Sequence, residues 1–259
     1  MNVALCFSGG VKYPNNGLNS LKKIFPNCNI KIFMHTWDIH KKSDYLKTVH
    51  GIKHKEVQKT VITDFDFLSK FLYENLLIEN YDTKQIEFQS FYDELKFKDY
   101  PTTSDGKTIG IGMISMHYSI WKSNELKKYY EKEHNMKFDV VVRMRYDSEF
   151  PETINFLEYD EDVIYIPWGD DWLGGINDQF AIGNSKVLDA YSCVFKHLQD
   201  YQHLSYHPET IMRNHLDTHN IKIKRIKFPV RINNGVDFRR DFHPDDFERH
   251  FKQWSPDYQ

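Results

Sequence analysis

Phe138-Asp-Val-Val-Val-Arg-Met-Arg-Tyr-Asp-Ser-Glu-Phe150 decides how the chain is read. Its first half is an apolar, β-branched run, the pattern of a strand buried on both faces. Its second half becomes charged without losing the period of two: Arg143, Arg145, Asp147 and Glu149 recur at every second position. If strand geometry persists, all four side chains lie on one face. Two guanidinium groups and two carboxylates at the end of a core strand are costly to desolvate unless they pair or meet ions. Two arrangements satisfy them. In one, Asp147 and Glu149 hold a hard divalent cation, Mn2+ or Mg2+, through oxygen. Arg143 and Arg145 then grip the phosphates of a diphosphate by forked hydrogen bonds. In the other, the four form an internal ion-pair ladder that caps the strand.

Outward from this stretch, strands alternate with helices. Val3 to Phe7 reads as a first strand, followed by the tight turn Ser8-Gly9-Gly10, and Ile30 to Met34 as a second, followed by His35-Thr36-Trp37-Asp38. Asn19 to Ile24 and Asp66 to Leu77 have helical spacing, and Val61-Ile62 reads as part of a third strand. Glu79 to Thr108 has no clear period and reads as loops around a weak helix. Ile114 to Tyr130 is predicted as a firm helix, with Ile114, Tyr118, Trp121, Leu126, Tyr129 and Tyr130 on its apolar side and Lys and Glu opposite. Val163 to Ile166 reads as a strand, Asn184 or Ser185 as the cap of a helix to about Leu198, and Pro208 as the first turn of another. Ile221 to Ile232 reads as the last strand, before an irregular tail from about Asp237. The alternation predicts a single α/β domain over residues 1–259, with a mostly parallel central sheet flanked by helices. Such sheets bind ligands beyond the carboxyl ends of their strands, where Ser8–Gly10, His35–Asp38 and Arg145–Glu149 are expected to converge.

Composition narrows the function classes. Hydrophobic residues make up 40% of the 259 and aromatic ones 15%, enough for a core of this size. Mean hydropathy is -0.64 and no apolar run approaches the roughly 20 residues of a membrane span. The amino-terminal Met1-Asn-Val-Ala-Leu-Cys-Phe7 has no basic leader and reads as the first strand, so a cytoplasmic protein is expected, with attachment to a membrane surface through a partner left open. A net charge of -3 gives no global electrostatic case for nucleic acid, and Lys222-Ile-Lys-Arg-Ile-Lys227 alternates like a strand with one solvated face. The 3 cysteines are widely spaced and read as neither a zinc pattern nor a disulfide framework.

Each polar segment carries a functional and a plain structural reading. Ser8, Gly9 and Gly10 can let backbone amides approach a nucleotide, or simply turn the chain. Trp37 can stack on a base or pack beneath the loop, while Thr36 and Asp38 can touch ribose or base, or cap the next helix. Asp178 is a candidate general base for an acceptor hydroxyl, with Gln179 beside it, or else caps a turn. Trp168 and Trp172 suit stacking on a sugar face or forming an apolar lid. Glu209 follows Pro208 at a helix start, where capping alone explains it, and His207 is a candidate addition to the metal shell.

The leading Val3-Ala-Leu-Cys-Phe-Ser-Gly-Gly10, His35-Thr-Trp-Asp38, the helix Ser115-Met-His-Tyr-Ser-Ile-Trp-Lys-Ser-Asn-Glu-Leu126, Arg143-Met-Arg-Tyr-Asp147 and Asn177-Asp-Gln-Phe-Ala-Ile-Gly183 follow one another in an order that resembles GT-A-fold glycosyltransferases. The nearest likeness is to the group found in bacterial surface-polysaccharide loci and in large viruses or phages. The resemblance runs from Met1 to about Leu216. It implies a Rossmann-like domain that moves a sugar from a nucleotide-sugar donor to a hydroxyl of a glycan or lipid-linked glycan. The donor would lie on Ser8, Gly9, Gly10, Thr36, Trp37, Asp38, Arg143 and Arg145. Asp147 and Glu149 would take the part of the family's acid-x-acid metal motif, with Glu149 replacing the commoner second Asp. Asp178 would be the base, and Trp172, Gln179 and Glu209 would meet the acceptor. A sugar nucleotidyltransferase that builds the activated sugar, or a non-catalytic nucleotide- or sugar-binding module, would draw on the same sheet and loops.

Overall fold

A computed structural model describes residues 1–11, 28–38, 75–97, 104–149, 160–169, 171–204, 206–226 and 231–232; of 104–109, 149, 172 and 231–232 it describes the backbone alone. The strands are β1 (Asn2–Ser8), β2 (Asn29–Asp38), β3 (Leu76–Asn80), β4 (Val140–Met144), β5 (Ser148–Glu149), β6 (Val163–Pro167), β7 (Phe180–Gly183), β8 (Lys222–Ile226) and β9 (Arg231–Ile232). The helices are α1 (Tyr81–Glu94), α2 (Ser104–Glu133), α3 (Ser185–Ser192) and α4 (Pro208–Thr218), with 3-10 segments at Trp172–Gly174 and Val194–Tyr201.

Seven strands form one sheet in the order β3-β2-β1-β4-β7-β6-β8, and β5 pairs with β9 apart from it. β1 runs parallel to β2 and β4, β2 to β3, and β6 to β8. β7 alone is antiparallel to its neighbours, β4 and β6. The predicted mixed α/β class with a mostly parallel sheet is therefore the observed one. Both faces of the central strands are covered, which is why β4 reads as a continuous apolar run: all five of its residues are buried. Ala4, Cys6, Phe33, Val141, Ile164 and Ala181 pack on the helical side, and Val3, Leu5, Phe7, Val142, Met144 and Ile182 on the other. Burial pushes the Cys6 thiol up to about 12, in keeping with a core residue. At the sheet's edge β8 exposes Lys222 and Lys224, which blunts the open edge against further pairing.

Local chemistry sets the element ends. The Asn80 side chain accepts from Thr83 N at 2.9 Å and starts α1, and Asn184 accepts from Val187 N at 3.0 Å and starts α3. Glu131, in the last turn of α2, accepts from Phe138 N at 3.1 Å and from Lys137 Nζ at 2.7 Å, joining the helix end to the entry of β4.

Several expectations change. Leu76 and Leu77 belong to β3 rather than to the end of a helix, and the stretch read as loops around a weak helix holds the end of β3, α1 and the start of α2. The weak helix expected there includes α1, whose bounds were hidden because its apolar residues are sparse: Phe88 and Tyr92 are the buried ones. The helix after Asn184 stops at Ser192 and continues as a 3-10 segment. On α2, Tyr129 is 64% exposed, whereas Lys127 and Glu131 are buried. Ser119, Ser123, Lys127 and Glu131 recur every fourth residue and form a buried polar ridge, so the inward face is not purely apolar. The candidates at Asn19 to Ile24, Val61-Ile62 and Asp66 to Glu74, and the tail from Asp237, lie outside the described residues.

Candidate functional site

The chain steps from β1 outward to β2 and β3, then returns to β4 on the other side of β1, so the order 3-2-1-4 reverses between β1 and β4. Ligand crevices in open α/β sheets form at such a reversal, beyond the carboxyl ends of the strands. Phe7 is level with Met144, Ser8 with His35, and Asp38 with Asn80. The segments after β1, β2 and β4 therefore leave from one edge. Because β7 runs the other way, its amino end brings Asp178 and Gln179 to that same edge. Of the segments expected to converge, Ser8–Gly10, His35–Asp38 and the Arg145–Asp147 part of Arg145–Glu149 leave from this edge, whereas Ser148–Glu149 pairs with β9 outside the main sheet.

Gly9 turns the chain with φ +104°, a conformation that side chains rarely adopt. A Cβ at Gly9 or Gly10 would meet nothing within 4 Å among the described residues. A polar chain anchors the turn from beneath. Gly9 N donates to Ser119 Oγ at 2.7 Å, Ser119 Oγ lies 2.8 Å from His35 Nδ1, and His35 Nε2 lies 2.8 Å from Glu79 Oε2. Tyr118 OH completes it by donating to Glu79 Oε1 at 3.1 Å. One tautomer satisfies every link: Ser119 donates to Nδ1, and Nε2–H donates to Glu79. Burial holds the His35 pKa below its ordinary value despite the pull of Glu79, favouring this neutral ring. Burial also opposes ionisation of Glu79, but the hydrogen bonds from His35 and Tyr118 outweigh it and keep the carboxyl below its usual range.

Arg145 and Asp147 form a two-point pair, with Nε to Oδ1 and Nη2 to Oδ2 both at 2.8 Å. Asp147 is buried, while the Arg145 side chain is 39% exposed. Strand geometry does not persist past β4: a turn at Tyr146-Asp147 intervenes, with Ser148 N on Arg145 O at 3.3 Å, before β5 begins. Arg143 and the Arg145–Asp147 pair therefore do not share one strand face. Arg143 in particular is buried on the helical side, where it donates to the Asp178 carbonyl, which also accepts from Tyr191 OH at 3.1 Å. Its role as a phosphate ligand gives way to fixing the start of β7. Tyr146 stacks on Phe7 with centroids 5.3 Å apart and donates to His35 O at 3.2 Å, bridging the strand ends. The Glu149 side chain lies outside the described residues; its backbone pairs with Arg231.

Thr36 and Trp37 are also buried. Trp37 packs among Tyr81, Phe88 and Tyr118, with centroids 5.5 to 5.8 Å away, so it supports the site from below instead of stacking on a base. Asp38, at the end of β2, is half-buried.

The loop from β6 to β7 is held by its own polar core. Asp171 takes Arg225 Nη2 at 2.8 and 2.7 Å and accepts from Asn177 N at 2.8 Å. Asn177 in turn accepts from Gln179 N at 2.9 Å. The Arg225 guanidinium lies 4.9 Å from the Trp168 ring centroid, which engages that indole within the protein. Gly175 sits where a Cβ would come within 2.3 Å of the Glu209 backbone, so only glycine lets this loop rest on α4. Glu209 O accepts from Ile176 N at 3.0 Å, and the Glu209 side chain is half-buried in the first turn of α4. His207 stacks on Tyr206 at 4.8 Å and starts α4. The Trp172 side chain lies outside the described residues.

Sequence reasoning passed over Ser119, Glu79 and His117. For Ser119 the signal was available as polar residues set at every fourth position into α2, whereas Glu79 lies on β3 and His117 outside that register. His117 is buried beside Arg143, and neither ring nitrogen has a hydrogen-bond partner among the described residues. Burial first, then the Arg143 charge, lowers its pKa to about 3. The unfolded chain therefore binds a proton near pH 6.5 that the folded chain refuses. Stability is full above that pH and falls as pH drops toward 3, by about 1.4 kcal/mol per unit from this group. Denaturant midpoints between about pH 7 and 4 should decline, and His117→Leu should flatten the decline.

Residues 110–251, just over half of the chain, match the family model described as a domain of unknown function (DUF7796). The chain belongs to this family. No curated protein matches it. The DUF7796 span takes in Ser119, Arg143, Arg145, Asp147 and Asp178, whereas the Gly9 turn and Glu79 lie before it.

Proposed function

We propose that this DUF7796 chain is a cytoplasmic glycosyltransferase using a nucleotide-sugar donor on a GT-A-type domain, with a glycan or lipid-linked glycan hydroxyl as acceptor. The observation that supports this most is that the anchored glycine turn and the Arg145–Asp147 pair share one edge at the strand-order reversal. The Gly10 backbone amide receives the nucleotide, at a turn that Ser119 holds through the Gly9 amide. Arg145, exposed enough to leave Asp147, turns to the donor diphosphate and offsets the charge that grows on the leaving group. Asp178, whose main chain Arg143 and Tyr191 fix, is the carboxylate that β7 brings to this edge to take the acceptor proton. Gln179 and Glu209 lie on the acceptor side.

The resemblance also implies Mn2+ or Mg2+. Asp147 fits such an ion once Arg145 has moved, since magnesium commonly takes one or two carboxylates together with substrate phosphates. Asp147, with Glu149, would hold it, and the bound ion would polarise the leaving diphosphate as a Lewis acid. No described helix is long and apolar enough to cross a membrane, so contact with a lipid-linked acceptor is proposed to occur at the membrane surface.

A thermal-shift panel of nucleotide sugars, with and without manganese, tests the donor class. One nucleotide family at a hundredfold excess over Kd should stabilise the chain by about 2.7 kcal/mol. Equal, null shifts across the whole panel would contradict the proposal.

A further inference from the structure

The carboxyl ends of α3 and α4 bring Cys193, His215 and His219 together, with one ligand atom from each lying within 4.8 Å of the others. We propose that this cluster is a zinc-class site, with Cys193, His215 and His219 as ligands and His197 as the fourth. It does not depend on the glycosyltransferase reading.

Four observations carry it. First, Cys193 Sγ lies 3.5 Å from His215 Nε2. Zinc bonds of about 2.3 Å to sulfur and about 2.0–2.1 Å to nitrogen at a tetrahedral angle span about 3.6 Å, so this pair already has the separation a zinc ion imposes. Second, His215 and His219 stand one helical turn apart on α4, the spacing that places two imidazoles on one face. Their centroids are 4.2 Å apart, and the His197 ring lies 5.5 and 5.3 Å from them. Third, groups other than the ligand atoms hold the other ring nitrogens. His219 Nδ1 is 2.9 Å from the His215 carbonyl, His197 Nδ1 is 3.1 Å from Asp200 Oδ2, and His215 Nδ1 is 2.8 Å from Tyr201 OH. Such contacts fix which nitrogen faces a metal. Fourth, Cys193 Sγ and His215 Nε2 both point donors at one carbonyl, Ala190 O, at 3.1 and 2.7 Å. A divalent cation takes the place of those two crowded protons. On binding, the thiol proton leaves to solvent and the His215 proton moves to Nδ1, facing Tyr201. A thiolate with imidazoles selects zinc over the hard ions proposed for Asp147.

In sequence the cluster is Cys193-x3-His197 and His215-x3-His219. It ties the end of α3 and the following 3-10 segment to the end of α4. α4 begins at Pro208, so His215 and His219 lie roughly 10–15 Å along the helix axis from the Glu209 turn. A tether there steadies the helix on which Gly175 rests.

The test uses the full-length, tag-free chain stripped of metal and titrated with Co2+ alone. Saturation at one equivalent, with tetrahedral d–d absorption and a thiolate-to-cobalt charge-transfer band that Zn2+ then abolishes, is the expected result. Cys193→Ser should remove the charge-transfer band, and His219→Ala should weaken binding at least about tenfold. The exposed-surface control His203→Ala should bind as the parent does. Circular dichroism checks that each variant is folded. No saturable binding by the parent, or a charge-transfer band that survives in folded Cys193→Ser, would overturn the proposal.

Discussion

Asp147→Ala should lower sugar transfer by about 10²–10³ while leaving the fold in place, because the two roles of this carboxylate differ so much in size. Structurally it is one half of a pair whose other half, Arg145, is 39% exposed on its side chain. Such pairs are screened by water and contribute about 1 kcal/mol or less. At the proposed diphosphate the same carboxylate orients Arg145 and helps hold the cation. Loss of one preorganised electrostatic element at a developing charge costs about 2.7–4 kcal/mol of barrier. Turnover and a urea melt should therefore separate: the rate collapses and the midpoint barely moves. Equal turnover by the variant would remove Asp147 from the chemistry. A collapse of both would make it a structural residue.

Lys127→Met should show the opposite pattern, with a large loss of stability and no direct effect on the site. Lys127 is buried, with its ammonium 2.6 Å from Ser185 Oγ, 2.8 Å from Asp189 Oδ1 and 3.5 Å from Glu131 Oε2. Removing the cation strands two carboxylates between α2 and α3. Breaking a buried pair from one side typically costs about 3–5 kcal/mol, a large share of the roughly 5–15 kcal/mol that holds a typical domain folded. Asp189 keeps Asn124 at 2.8 Å and Glu131 keeps Lys137, which favours the lower end. Urea unfolding measures the loss. A change below about 1 kcal/mol would mean that the ridge on α2 is relieved by water.

The central strands were legible because burial on both sheet faces leaves runs such as Val140 to Val142 that little else produces. The loop positions followed, since a parallel sheet puts its strand ends on one edge. The direction of individual side chains did not follow. Arg143 and Arg145 look equivalent by spacing, yet a turn after Met144 leaves the first under α2 and the second at the edge. Trp37 could not be told from a stacking residue until α1 was known to cover it, and α1, read only as an unplaced weak helix, has too few apolar residues to fix its position. Lys127 and Glu131 were assigned to solvent because charge usually goes there; the Asp189 carboxylate that Lys127 meets lies 62 residues away along the chain. The histidines of α4 were illegible as a group for the same reason, because their cysteine comes from the end of a different helix.

The most direct measurement is release of nucleoside diphosphate from whichever nucleotide sugar stabilises the chain, followed with and without a hydroxyl acceptor. The account predicts slow release by hydrolysis alone, faster release with acceptor, and matching appearance of glycosylated product. Release of pyrophosphate from a nucleoside triphosphate and sugar phosphate, or tight donor binding with no bond broken under any condition, would contradict it.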